Sequence, residues 1–345
     1  MKFATKLLSV ILCVFLLCAC GAGAAEPAET TVATIPTTSL PDDGIKSLDG
    51  KRIIFIGNSY IYYGGTVNEM KQSYLTQADR LYDIGYFYQL CKANGEDVVV
   101  TNWTFGGHSF EHLFGGNCKA NRGCDGENHL AYLQDLNYDY VVFSEGSGTA
   151  SDAAFVKTMK NVTELFRKAN PNVQFVYLCH AAAHGLRLTE AKQPHVLNHL
   201  KELEAQGFLI VDWGKIASDL ATGAAKIEGS AIDYNFYSFI IRKSEDDGYH
   251  PNQLSGYITT LMTYCAITGK SPVGQPYSFV GDTTLSSNPW NRSINGFISK
   301  FYCYDGVTTN YHEVFASETE MEGLQKLIEQ YMTEKPHLTY DFPTE

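Results

Sequence analysis

The sequence predicts an α/β fold, a three-layer α/β/α sandwich around a central, mostly parallel five-stranded sheet. Two observations carry this. Five short apolar runs recur along the chain, most of them separated by a stretch with helical periodicity. The runs are apolar at nearly every position rather than at alternate ones, as expected of strands covered on both faces.

The first run, Ile53-Ile54-Phe55-Ile56, ends abruptly in Gly57-Asn58-Ser59-Tyr60. A Tyr- and Gly-rich turn follows. Leu81, Ile84, Tyr88 and Cys91 then fall at helical spacing, and Gly95 is placed to stop that helix. Asp97 to Trp103 reads as the second strand and runs into Phe105-Gly106-Gly107-His108-Ser109. Tyr140 to Phe143 is the third, ending in Ser144-Glu145-Gly146-Ser147-Gly148. A helix from about Asp152 to Lys168 leads through Pro171 to the fourth strand, Val173 to Leu178. A helix from about Gln193 to Ala205, with Pro194 in its first turn, leads to the fifth, Phe208 to Val211. Tyr234 to Ile241 has no clear period. The polar loop Asp246-Asp247-Gly248-Tyr249-His250-Pro251-Asn252 opens an apolar helix from Leu254 to Thr268. Residues 275–315 are aromatic-rich without periodicity and read as an appendage. Residues 318–333 read as a closing amphipathic helix, which puts one folded domain over 50–335.

The N-terminal end is organised differently. Lys2 and Lys6 precede an apolar run from Leu7 to Ala19, too short to span a bilayer and built like a secretory signal. It ends Leu17-Cys18-Ala19-Cys20-Gly21 and resembles a bacterial lipoprotein signal. That resemblance implies removal of residues 1–19, acylation of Cys20 and anchoring to the outer face of a membrane; cleavage near Ala24 or Ala25, giving a secreted protein, is the alternative. Residues 20–49, rich in Ala, Thr, Pro and Glu, form an extended linker.

Of 345 residues, 44% are hydrophobic and 19% charged, and the net charge is −12. That balance leaves no excess of Lys or Arg to neutralise phosphates, so nucleic acid is excluded as a partner. Nine cysteines are present, three of them in the signal region. Outside the cytoplasm Cys118 and Cys124, in one Gly-rich loop, are placed to form a disulfide. Cys91, Cys179, Cys265 and Cys303 lie in apolar stretches and read as small buried hydrophobes.

In open α/β sheets ligands bind at the carboxyl ends of the strands, where the polar clusters fall. Ser59 is the candidate nucleophile, or else it simply caps the next helix. A hydroxyl nucleophile needs a base, a carboxylate to orient that base, and donors for the developing oxyanion. Asp247 and His250, three apart, can supply the carboxylate and the base; an Asp-Gly turn with a capping His is the structural alternative. Ser109 and Ser147 are weaker nucleophile candidates. No Gly-x-Ser-x-Gly follows a strand, which argues against a nucleophile elbow. Glu145 can orient substrate or cap the next element.

The histidine pairs His108/His112, His180/His184 and His195/His199 have the four-residue spacing of zinc ligands, and His108-Ser109-Phe110-Glu111-His112 matches an inverted zinc pattern. That match follows a Gly-Gly turn rather than sitting inside a long helix, and neither a metal site nor a cofactor is assigned. His112 and His180 read as hydrogen-bonded structural histidines or, alternatively, as residues near the active edge, and His195 and His199 read as surface residues.

Gly57-Asn58-Ser59, Gly106-Gly107 and Asp247-x-x-His250, in this order and at these strand ends, resemble the SGNH (GDSL-type) hydrolases over about residues 50–272. His250-Pro251-Asn252 and Thr268-Gly269-Lys270-Ser271-Pro272 resemble a bacterial branch whose first motif reads Gly-Asn-Ser. The resemblance implies a flavodoxin-like sheet and an esterase or deacetylase working through an acyl-enzyme. Ser59 is then the nucleophile, His250 the base and acid, and Asp247 its orienting carboxylate. The backbone N–H groups of Ser59 and Gly107 are oxyanion donors. The family's further donor is an Asn after the third strand; this sequence departs there, with Ser144 in the nearest position. Asn58, Glu145 and His112 are the candidate substrate contacts. The expected partner is a small-molecule or glycan ester, such as an acetylated carbohydrate. A surface glycan-binding protein on a catalytically weak hydrolase scaffold, with residues 275–315 making the contacts, and a zinc-dependent hydrolase are the alternatives.

Overall fold

The computed structural model describes residues 44–67, 85–107, 110, 114, 135–144, 152–179, 193–234, 238–241, 250–277, 300–304, 311–315 and 317–334. All of them belong to one compact unit, Ser39–Glu345. The lipoprotein signal, Cys20, most of the linker and the Cys118–Cys124 pair lie outside these residues. No helix among the described residues is long and apolar enough to cross a membrane.

Five parallel strands form the central sheet: β1 (Arg52–Gly57), β2 (Val99–Thr104), β3 (Tyr140–Phe143), β4 (Gln174–Cys179) and β5 (Leu209–Asp212). Their order is β2-β1-β3-β4-β5. The chain thus begins inside the sheet, moves outward to β2, and returns to the other side of β1. This creates a switch point between β1 and β3, where neighbouring connections leave in opposite directions and open a crevice. Each strand falls within about two residues of its sequence expectation.

Successive β1 side chains divide between two cores, as the period of two requires. Ile53 and Phe55 pack toward a layer containing α2 (Tyr86–Ala93), α5 (Trp213–Thr222), α6 (Gln253–Thr268) and α7 (Glu318–Glu334). Ile54 and Ile56 face α3 (Asp152–Ala169) and α4 (Gln193–Ala205), through Met159, Phe166, Leu200 and Leu203. Both faces being covered explains why the strands carry no polar alternation. α5 has no counterpart among the sequence expectations. It follows β5 without a loop, Asp212 being both the last strand residue and the cap that accepts from the Lys215 N–H at 3.1 Å. The expected long helix before Gly95 begins at Tyr86 within the described residues, and Leu81 and Ile84 lie outside them.

α6 is buried nearly all round, which fits its position between the sheet and the other helices. Its Thr259, Thr263 and Thr268 hydroxyls donate to the carbonyls four residues back at 2.7, 2.6 and 2.7 Å, so these polar groups enter the core without losing a hydrogen bond. Cys91, Cys179 and Cys265 are buried, as expected of small hydrophobes. The segment Tyr234–Ile241 resolves into β6 (Ile240–Ile241), antiparallel to β7 (His250–Pro251). The aromatic-rich appendage contains a two-stranded antiparallel ribbon of β8 (Lys300–Tyr304) and β9 (Tyr311–Phe315).

α7 opens with a reciprocal cap. The Ser317 N–H donates to Glu320 at 2.6 Å, and the Glu320 N–H donates to the Ser317 hydroxyl at 3.2 Å. The Glu320 carboxylate also accepts from the Ser230 hydroxyl at 2.7 Å and the Ala231 N–H at 3.2 Å, tying α7 to the segment after α5. Burial pushes the Glu320 carboxyl up, but these hydrogen bonds outweigh it and hold the group below the usual carboxylate range. Its contribution to stability is therefore present above the unfolded value and lost as pH falls through the lower folded one. Glu320→Ala is expected to cost about 1–3 kcal/mol near neutral pH in urea unfolding, and less as the pH falls below about 4.

Candidate active site

The site begins with how β1 ends. Asn58 leaves the strand extended, and its side-chain oxygen accepts from the Tyr60 N–H at 3.1 Å, so Asn58 rather than Ser59 caps the one-turn helix α1 (Ser59–Tyr62). Ser59 is thereby released from the capping role considered for it and stands at the first helical position. Gly57 is required just before it, because a Cβ there would lie 2.3 Å from the Ser144 carbonyl oxygen at the end of β3. The turn is thus drawn into the switch point between β1 and β3.

The second partner arrives from far along the chain. Pairing with β6 and the first turn of α6 fix His250 from both sides. Asn252 caps α6 by accepting from the Ser255 N–H at 3.2 Å, while its amide donates to the Ser238 carbonyl at 2.7 Å. The Asn252 N–H and the Ser255 hydroxyl both donate to the Phe239 carbonyl, at 3.1 and 2.6 Å. From this clamp the imidazole Nε2 of His250 reaches to 2.9 Å from the Ser59 hydroxyl oxygen, across 191 positions of sequence. With the proton on Nδ1, Nε2 accepts from the serine hydroxyl, the geometry a general base requires.

Three aromatic residues follow Ser59: Tyr60 and Tyr62 on α1, and Tyr63 at its C-cap. The Tyr63 ring is stacked on the imidazole, centroids 4.1 Å apart and planes 18° from parallel, and the Tyr60 ring is 5.5 Å away and tilted. Tyr62 stacks on Tyr63, and its hydroxyl would lie only 2.7 Å from a Cβ placed on Gly106. None of these contacts was anticipated from the sequence, although residues 60 and 63 share a helix face with each other by spacing alone.

The Phe105 N–H donates to the Gly57 carbonyl at 2.9 Å, which holds the Gly106-Gly107 turn beside the Asn58-Ser59 turn at the same sheet edge. Gly107 has φ of +70° and is exposed. Among the described residues, the backbone N–H groups of Ser59 and Gly107 donate to no other group. Ser144 is buried at the end of β3, but its N–H is committed to the Ile56 carbonyl at 3.0 Å, so only its hydroxyl remains to donate.

Asp247, Glu145, His112, Ser109, Ser147, His108 and His180 lie outside the described residues. His199 is half-buried in α4 rather than on the surface. No group of three or more His, Cys, Asp or Glu side chains among the described residues could hold a metal ion.

The separation of Ser59 and His250 depends on how closely α6 meets the turn after α1. A Cβ on Gly256 would fall 1.8 Å from the Gly64 carbonyl oxygen, so the two backbones touch directly. The Thr66 hydroxyl donates to the Gly256 carbonyl at 3.2 Å across the same contact. Gly256→Ala is expected to force these elements apart, costing more than about 3 kcal/mol and any activity that needs both residues. Thr260→Val, one turn along, removes a buried hydroxyl without a partner and is expected to be neutral or to stabilise by about 1 kcal/mol. Unfolding curves of the two variants check both.

No family model matches the chain, and no curated protein matches it. Among solved structures, the chain is similar to one from Parabacteroides merdae named as a GDSL-like lipase, at 15% identity over 66% of this chain and 99% of that one, with a TM-score of 0.41. It is similar to one from Slackia heliotrinireducens named as an SGNH hydrolase, at 18% identity over 64% and 99%, with a TM-score of 0.35. An acetylxylan esterase from Geobacillus stearothermophilus matches at 14% identity over 64% and 95%, with a TM-score of 0.37. With these TM-scores under 0.5, the architecture rests on the strand order and register above rather than on the likeness.

Proposed function

We propose that the protein is a serine ester hydrolase that works through an acyl-enzyme on Ser59. The observation that carries this reading is the 2.9 Å contact between the Ser59 hydroxyl and His250 Nε2 at the carboxyl edge of a parallel sheet. A free serine hydroxyl is a poor nucleophile, and an imidazole within hydrogen-bond reach corrects that by taking its proton as attack begins. Asp247, three residues before His250, would accept from Nδ1–H and fix the tautomer.

In the first half-reaction Ser59 Oγ bonds to the ester carbonyl carbon and its proton passes to Nε2. The tetrahedral intermediate expels the alcohol, which takes that proton from the imidazolium. Water then repeats the sequence on the acyl-enzyme, releasing the acid and restoring the serine. The negative charge on the carbonyl oxygen would be met by the backbone N–H groups of Ser59 and Gly107, with the Ser144 hydroxyl in place of an amide side chain. The substrate we propose is an acetyl ester on a carbohydrate, with Glu145 and His112 as sugar contacts. The amide oxygen of Asn58 is already engaged by the Tyr60 N–H, which leaves Asn58 to brace the turn. The signal-like N-terminus supports placing the enzyme outside the cytoplasm, tethered through lipid on Cys20.

Hydrolysis of p-nitrophenyl acetate tests the proposal. Ser59→Ala and His250→Ala are each expected to lower kcat by about 10⁴–10⁶-fold, and Asp247→Asn by about 10⁴-fold, with little change in KM. Activity should persist in excess EDTA. Turnover that survives loss of Ser59 would contradict the mechanism, and turnover lost to chelator would favour a zinc-dependent hydrolase. Glycan binding without turnover would favour a binding protein.

A further inference from the structure

The mechanism above requires His250 to carry a positive charge whenever a tetrahedral intermediate exists, and this inference rests on that reading. What stabilises the charge is a question about the surroundings of the ring. The sequence places Asp247 near it, and besides the Ser59 hydroxyl the ring has an aromatic neighbour. Tyr63 lies flat on the imidazole at 4.1 Å between centroids, 18° from parallel, a separation at which a ring's negative face attracts a cation. Its backbone N–H donates to the Ser59 carbonyl at 3.0 Å. One residue is therefore attached to the nucleophile through its main chain and to the base through its side chain. Tyr62, buried, also stacks on Tyr63, with centroids 5.2 Å apart.

We propose that Tyr63 is a positioning residue for the reaction: its ring holds the His250 imidazole in the plane that directs Nε2 at Ser59 and stabilises the imidazolium formed when the serine gives up its proton. Other groups face the imidazole too. From α1 they are the Ser59 hydroxyl and the phenol of Tyr60, whose ring is tilted and more distant. His250 is paired with Ile241 through the β6–β7 backbone register, and α6, capped by Asn252, opens with the uncharged Gln253-Leu254-Ser255. Asp247 is shared by every variant below, so its effect cancels between them.

The ring's role makes a signed prediction. An aromatic face favours the charged imidazole, so removing it lowers the His250 pKa and weakens the base. In Tyr63→Leu the acid limb of the kcat/KM profile should move down by about half to one pH unit, a three- to tenfold rise in the acid dissociation constant. The plateau kcat should fall by a similar factor with KM nearly unchanged. Tyr63→Phe keeps the ring and should return the acid limb to its wild-type position; Tyr63→Met serves in place of Leu if the leucine variant does not fold.

The same constant is read without turnover by NMR titration of the His250 ring in a Ser59→Ala background, assigned with His250→Gln. A shift in Leu or Met and not in Phe supports the proposal. An acid constant within twofold of wild type in the Leu or Met variant would overturn it, as would a Phe variant that moves as far as Leu. Loss of hydrolysis in Ser59→Ala and His250→Ala alongside an unmoved titration would sink this inference alone. Hydrolysis that persists in those two variants would instead remove the serine mechanism itself.

Discussion

The closeness of α6 to the turn after α1 is the constraint on which the site depends. His250 and Ser59 are 191 positions apart in sequence, and a hydroxyl–imidazole hydrogen bond tolerates only a few tenths of an ångström. Glycines at 64 and 256 let two backbones meet without a side chain between them, and Thr66 locks the contact with a hydrogen bond. The helix that carries this contact is buried on nearly every side, with the hydroxyls of Thr259, Thr263 and Thr268 turned back on its own carbonyls. Precision at the site is therefore a property of core packing rather than of the loop bearing the histidine.

The sheet order supplies the other half. Because β1 lies between β2 and β3, its carboxyl end is flanked by two other strand ends. Ser59 emerges there with Gly107 on one side and Ser144 on the other, so the candidate nucleophile and the candidate oxyanion donors converge through topology. The cap on α1 completes the arrangement: Asn58 takes the capping role, and the hydroxyl of Ser59 is left to meet an imidazole. At the end of β3 the main-chain N–H of Ser144 is consumed by the sheet, and only its hydroxyl is left to donate.

Much of the architecture is legible in the amino-acid sequence because strands buried on both faces announce themselves as apolar runs. Ile53 to Ile56 and Tyr140 to Phe143 need no context to be recognised. Ser59 and His250 are legible from their settings, a strand ending in a small-residue turn and a polar loop opening an apolar helix. α5 is not, because Asp212 ends a strand and caps a helix in one residue, leaving no turn to punctuate the change. β6 escapes detection since two residues carry no period. The S-x-x-E pattern of Ser317–Glu320 is itself a written start signal for α7. Tyr63 is obscured for a different reason: its partner is 187 positions away, and nothing in a Tyr-rich turn says which ring will find an imidazole.

The central claim is that His250 makes Ser59 a nucleophile. Labelling with a fluorophosphonate, followed by peptide mass spectrometry, tests it most directly, because the reagent forms a stable bond only with a serine whose proton is being removed. The account predicts stoichiometric modification of the peptide containing Ser59, abolished in Ser59→Ala and slowed by at least about a thousandfold in His250→Ala. Modification at Ser109 or Ser147 instead, or labelling of Ser59 at an undiminished rate without His250, would contradict it.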